Sequence, residues 1–244
     1  MSAPDLTGRR AVVTGAAHRT GRALALALAE AGADVAVHYR SSEAAAAQVV
    51  AEIESLGRRS VAVPADLRDP EQAERAMADV VAAFGGLDIL VNNVGTIVWK
   101  DLPELTPREW QDSLDGTLGV TYQACRAALP HLRASRAGRI VNLLDADADA
   151  LAPVVHATPY KIGKAGSWIL TKTLAKTEGA YGVTVNAVSP GVLDDSEKAV
   201  PLERIPLGRV GTYADVASAV LFFASEASGY VTGSNLKVSG GYLV

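Results

Sequence analysis

Seven short runs rich in Val, Ile and Ala recur along the chain, at 11–14, 34–39, 60–63, 88–92, 139–143, 183–188 and 235–238, with longer stretches of helical spacing between them. Runs this continuous in apolar residues fit strands buried on both faces, which need helices above and below. Strand–helix alternation makes the sheet parallel, since a crossover helix carries the chain back to pair in the same direction. The fold expected is α/β: one doubly wound, Rossmann-type domain with a seven-stranded parallel sheet and helices on both faces. Local chemistry supports the helix boundaries. A helix over 21–31 opens after a glycine loop and closes at Gly32, and Asp69-Pro70 caps and starts one that runs to Val81. Ala-rich stretches at 23–29 and 44–47 read as close helix–sheet packing.

The 244 residues are 49% hydrophobic, enough for one large core, and no Pro/Gly/Ser-rich linker, repeat or break in composition offers a boundary, so 1–244 reads as a single domain. Lys and Arg total 23 against 27 Asp and Glu, a net charge of −4 that argues against a nucleic-acid partner. The single cysteine, Cys125, closes no intrachain disulfide, which fits a reducing cytosol. The N-terminus lacks an apolar signal core, and no run approaches the roughly 18 apolar residues of a membrane span, so a soluble, cytoplasmic protein is expected.

After the first run comes Thr14-Gly15-Ala16-Ala17-His18-Arg19-Thr20-Gly21, a turn from a strand into a helix. Such a turn suits a dinucleotide pyrophosphate, because glycine lets the backbone come close and the helix start attracts anions. A tight turn also needs glycine for geometry alone, and the usual middle glycine is here Arg19. The end of the second run discriminates further. An NAD site expects an acid there, whereas this chain has His38-Tyr39-Arg40-Ser41-Ser42. Arg40 and Ser41 offer charge and hydroxyl donors to a 2′-phosphate, and Arg19 is expected to reach the same corner; the cofactor implied is NADP(H). The plain alternative is that Arg40 is a solvated loop charge.

Five motifs in order, the glycine turn, Asp66-Leu67, Asn92-Asn93-Val94-Gly95, Tyr160-Lys161-Ile162-Gly163-Lys164 and Ser189-Pro190-Gly191, resemble the short-chain dehydrogenase/reductase family over essentially the whole chain. The resemblance implies that Asp66, Leu67, Asn93, Val94, Gly95, Pro190, Gly191 and Val192 join the turn in holding the cofactor. It implies that Lys164 binds the nicotinamide ribose while Tyr160 gives a proton to the substrate as hydride arrives. It also implies a homotetramer built on two long helices and the C-terminal region from Ser239. The residues support the pair independently: Thr158-Pro159 forms a plausible N-cap and first turn, placing Tyr160 and Lys164 one turn apart on one face. An ammonium there is expected to lower the phenol from its ordinary value near pH 10.

Two departures bear on chemistry. The family serine at the end of the fifth strand is replaced by Asp145, with Asp147 and Asp149 following in alternation. Asp145 ranks first to face the substrate, and Asp147 stands in reserve at the usual distance before Tyr160. An ionised Asp145 cannot donate to an oxyanion and suits a substrate with N–H groups or positive charge; a protonated one donates or relays. With Arg19 and Arg40 this resembles the pteridine reductase branch, although the stacking aromatic expected after Asn-Asn is Ile97, with Trp99 two residues on. The acidic triplet is read as a solvated loop and not as a metal site. In the second departure, Thr117 takes the slot of a family asparagine that supports a water chain.

Residues 151–158 and 192–206 should flank the nicotinamide, the second segment as a lid carrying Asp194-Asp195-Ser196-Glu197, and His156 lies close enough to touch substrate. The activity implied is reduction of a C=N or C=O bond in a small polar, nitrogenous substrate of pterin or imine type. The alternatives are reduction of 3-oxoacyl thioesters or similar ketones, and a non-catalytic NADP(H) binder or a cyclase on the same fold.

Overall fold

A computed structural model describes residues 4–135, 137–150, 152–194, 196 and 200–243. Leu151, Asp195, Glu197 and Val244, each named above within a flanking, lid or interface segment, lie outside the described residues. Seven strands, β1 (Arg10–Val13), β2 (Asp34–Tyr39), β3 (Ser60–Pro64), β4 (Ile89–Asn92), β5 (Arg139–Leu143), β6 (Thr184–Pro190) and β7 (Asn235–Val238), form one sheet in the order β3-β2-β1-β4-β5-β6-β7. Every pairing is parallel. The helices are α1 (Arg19–Glu30), α2 (Glu43–Ser55), α3 (Pro70–Phe84), α4 (Pro107–Leu114), α5 (Val120–Ser135), α6 (Thr158–Glu178) and α7 (Tyr213–Ala224).

Alternation within each strand builds the two layers. Val13, Val35, Val91 and Val141 point into one core with Leu24 and Leu28 of α1 and Val220 of α7. Their neighbours Val12, Ala36, Leu90 and Ile140 point into the other, with Met77 and Val80 of α3 and Ala124 and Leu132 of α5. Both strand faces are therefore apolar, as the unbroken runs required. At the strands' amino ends Asp88 accepts from Arg10 Nε and Ser135 Oγ, tying β1 and α5 to the base of β4.

The helix boundaries shift where caps decide them. Asp69 accepts from the amides of Glu71 and Gln72 as expected, but α3 runs on past Val81 to Phe84, where Gly85 takes a left-handed φ of 79° and ends it. Helix α1 begins at Arg19 and not at Gly21. The N-cap of α6 is Ala157, also left-handed, and not Thr158, whose hydroxyl instead donates to the Val154 carbonyl.

The strand order reverses at β1, which pairs with both β2 and β4, so the crevice for a ligand opens beyond the carboxyl ends of those strands. The glycine turn, Asn93 and the N-terminus of α1 all sit at that edge.

Candidate active site

Asn93 clamps the turn that follows β1. Its amide N–H and that of Val94 donate to Thr14 Oγ1, and its side-chain Nδ2 donates to the carbonyls of Thr14 and Gly15. Gly21 packs so tightly beneath that a Cβ there would lie 2.2 Å from the Gly15 carbonyl oxygen. On the other side the buried His38 ring accepts the Gly15 amide at Nδ1, which places its proton on Nε2, 3.1 Å from the Ala65 carbonyl. Burial lowers the His38 imidazole to about 4, so it stays neutral and keeps that tautomer. The start of α1 thus holds a fixed shape, with no side-chain cap and no acid in its first turn. An anionic group fits such a terminus.

Two cavities flank the turn. One, of about 230 Å³, is lined by Gly15, His18, His38, Tyr39, Arg40, Ser41, Asp66, Leu67, Arg68 and Val94 among others. Arg68 binds Asp66 through Nε and Nη2, and those bonds hold the Asp66 carboxyl down at about 2. The other, of about 390 Å³, is lined by Arg19, Thr20, Asn93, Ile97, Trp99, Asp145, Tyr160, Lys161, Lys164, Pro190, Gly191 and Val192 among others. Arg19 lines this second cavity, while His18 and Arg40 line the first. Arg19 carries a left-handed φ of 49° at the first residue of α1.

Tyr160 and Lys164 lie on the face of α6 that meets β5. Lys164 is almost fully buried, its Nζ donating to the Leu143 carbonyl at 2.6 Å and lying 5.6 Å from the centre of the Tyr160 ring. Gly95 fits between them, for a Cβ there would approach Tyr160 Cε2 to 3.2 Å and Lys164 Nζ to 3.3 Å. A buried polar ladder holds α6 in place: Asn92 donates to Asn142, Asn142 to Thr171, Thr171 to the Ser167 carbonyl, and Ser167 to the Gly163 carbonyl. Burial lowers the Lys164 ammonium to about 8. Burial, then the Asp145 and Asp147 carboxylates, push the Tyr160 phenol well above its ordinary value, opposite in direction to the tuning expected from Lys164. Tyr160 is therefore protonated at neutral pH, the form a proton donor needs.

Other expectations change with the contacts. Asp145 is not a free carboxylate: its Oδ2 lies 2.5 Å from Lys161 Nζ, which also donates to Asp147 Oδ1 at 2.6 Å, while Asp149 pairs with Lys237. The triplet that read as a solvated loop is a set of lysine-paired acids. Thr117 lies in a π-helical stretch, Asp115–Gly119, and its hydroxyl is taken by the Thr96 amide and carbonyl. It packs against Gly163, where a Cβ would come within 2.9 Å of it, so its place is in helix packing and not on the cavity wall. His156 pairs with Asp101 at the surface and is not among the residues lining either cavity. Sequence reasoning passed over Lys161, His38 and Arg68, although each lies inside or beside a motif it quoted.

A family sequence profile described as enoyl-(acyl carrier protein) reductase matches residues 15–243. The chain is 37% identical over 241 residues to the 3-oxoacyl-[acyl-carrier-protein] reductase FabG of Staphylococcus aureus, covering 96% of this chain and 97% of that one. The chain is a short-chain dehydrogenase/reductase. A second relative of that family, 3beta-hydroxysteroid dehydrogenase 1 of Eggerthella lenta, is 37% identical over 248 residues, covering 97% and 94% of the two chains. A solved short-chain dehydrogenase from Burkholderia cenocepacia, in complex with NADP, superposes with a TM-score of 0.90 at 37% identity over 97% of this chain and 98% of its own. As an oxidoreductase of this family the chain has the seven-stranded parallel architecture of its relatives. Among the described residues no helix is long and apolar enough to cross a membrane.

Proposed function

We propose that the protein is an NADP(H)-dependent ketone reductase, with 3-oxoacyl thioesters as the first substrate class to test. The observation that carries this reading is the shared wall of the larger cavity, where Tyr160, Lys164 and Asp145 meet beside the clamped glycine turn. When bound, the reduced dinucleotide supplies hydride to the carbonyl carbon. Tyr160, kept protonated, gives its proton to the carbonyl oxygen, and Lys164 binds the ribose hydroxyls from its buried position. The uncapped start of α1 holds the pyrophosphate, and His18, Arg40 and Ser41 hold the 2′-phosphate, where Arg40, Ser41 and Ser42 directly follow β2. The fit is supported by the packing at Gly21 and Gly95, where a side chain would displace the turn that follows β1 or crowd Tyr160 and Lys164. The preference for NADP(H) is in keeping with the NADP found in the Burkholderia cenocepacia structure.

A nitrogenous, pterin-type substrate finds no support. That expectation came from Asp145 in place of a serine, together with Arg19 and Arg40, and Asp145 is held by Lys161. The S. aureus relative bears the name of a 3-oxoacyl thioester reductase, which favours the ketone class. An assembly of four copies, as the family pattern implies, is supported by the exposed apolar residues Ile162 and Ile169 on α6 and Phe222 on α7. The test is NADPH consumption with a 3-oxoacyl thioester. Tyr160→Phe should lower kcat by roughly 10²- to 10⁴-fold while NADPH still binds, and full turnover by that variant would reject the mechanism.

A further inference from the structure

A reacting carbonyl oxygen gains negative charge as hydride arrives, and one phenol is a modest donor set for it. The residue after β5 that lines the Tyr160 cavity is Asp145, which as an ionised carboxylate only accepts hydrogen bonds. Its oxygen is covered by Lys161 Nζ at 2.5 Å, and Lys161 lines the same cavity. The ammonium carries three donors. Two face Asp145 and Asp147, which fix the head group at 2.5 and 2.6 Å from separate carboxylates, and no third partner is found among the described residues. We propose that Lys161, clamped between Asp145 and Asp147, is a catalytic residue that donates its third N–H to the substrate oxygen beside Tyr160. This rests on the ketone reductase reading above and adds to it the second donor, one that Asp145 cannot supply. The two carboxylates hold the ammonium charged, since their pull on Lys161 outweighs the effect of its burial. They also fix its long side chain in advance, so that little freedom is lost when substrate binds.

The competing role for Lys161 is to neutralise Asp145, and three variants separate the two roles. In NADPH-dependent reduction of a 3-oxoacyl thioester, Lys161→Met should lower kcat and kcat/KM together by on the order of a hundredfold, the signature of a lost transition-state donor. NADPH binding, read by nicotinamide fluorescence, should stay within threefold. Lys161→Met with Asp145→Ala removes the carboxylate at 145 along with the donor, leaves Asp147 unpaired as it is in every Lys161→Met protein, and should remain as slow. Lys161→Met with Asp145→Ser returns a hydroxyl donor and should recover to within about tenfold of wild type. The assignment is overturned if Lys161→Met keeps kcat within threefold, or if the alanine pair recovers as well as the serine pair. Should Lys161→Met alone fail to fold, the two pairs carry the same comparison, because no carboxylate remains at 145. Wild-type protein that binds NADPH yet reduces no ketone refutes the reductase reading and takes the Lys161 assignment with it; wild-type turnover that survives Lys161→Met refutes the Lys161 assignment alone.

Discussion

Replacing Lys164 by Met tests the burial of that ammonium without any substrate. The side chain is 4% exposed and burial brings its titration from 10.5 to about 8. A basic group lowered in the folded state disfavours folding in full below its folded value. That cost fades as pH rises from the folded value towards the unfolded one, because over that span the unfolded chain holds a proton the folded chain has released. Each pH unit in the window adds about 1.4 kcal/mol of stability, so wild type should gain about 2 kcal/mol between pH 8 and 9.5 from this residue. Lys164→Met lacks that gain. At pH 7 the substitution removes a charge penalty of about 3 kcal/mol but leaves the Leu143 carbonyl without its donor, which costs about 1–3 kcal/mol, so the net change there is small.

The informative quantity is the difference in slope. Urea unfolding of the cofactor-free protein at a fixed concentration, from pH 7 to 9.5, should show wild type gaining on Lys164→Met by about 2 kcal/mol, with the other titrating groups cancelling between the two proteins. Parallel curves would mean that Lys164 titrates near its ordinary value. The account of a buried ammonium beside Tyr160 would then be wrong.

The cofactor edge yields two further expectations. Arg40→Ala should weaken NADPH roughly 10- to 100-fold, the worth of a charge-assisted contact, and leave NADH within about twofold; equal losses for both in fluorescence titrations would remove Arg40 from the 2′-phosphate site. Gly21→Ala puts a methyl 2.2 Å from a backbone oxygen that Asn93 already holds, so the turn itself must move. It should lower stability by roughly 1–3 kcal/mol and NADPH affinity more than tenfold, and a variant that melts and binds like wild type would show that the turn is looser than its hydrogen bonds imply.

The fold was legible because its signal is local and repeated. Each run such as 34–39 carries its own strand periodicity, and Asp69-Pro70 carries its own cap, so few long-range facts are needed to draw a seven-stranded parallel sheet. The site was legible where a motif fixes a backbone shape, as at Gly21 and Asn93, or places two side chains on one helix face, as at Tyr160 and Lys164. The backbone at Arg19 was not legible, since no neighbouring residue type announces its left-handed φ of 49°. Thr158 gave way as the α6 cap to Ala157, which adopts a left-handed conformation that residue type alone disfavours.

Asp145 shows where sequence reasoning runs out. Read along the chain it is an acid in place of a serine, and its chemistry turns on whether it is ionised and free. That depends on which side chain folds over it, and the answer lies sixteen residues on, in the lysine that follows Tyr160. Lys161 stood in full view within Tyr-Lys-Ile-Gly-Lys, but a motif directs attention to its fixed positions and away from those between them. Once α6 docks on β5, the acid and the lysine form one charged unit on the wall of the Tyr160 cavity. The acid at 145 and the lysine at 161 are one charged pair, and neither predicts the substrate unless the other is counted.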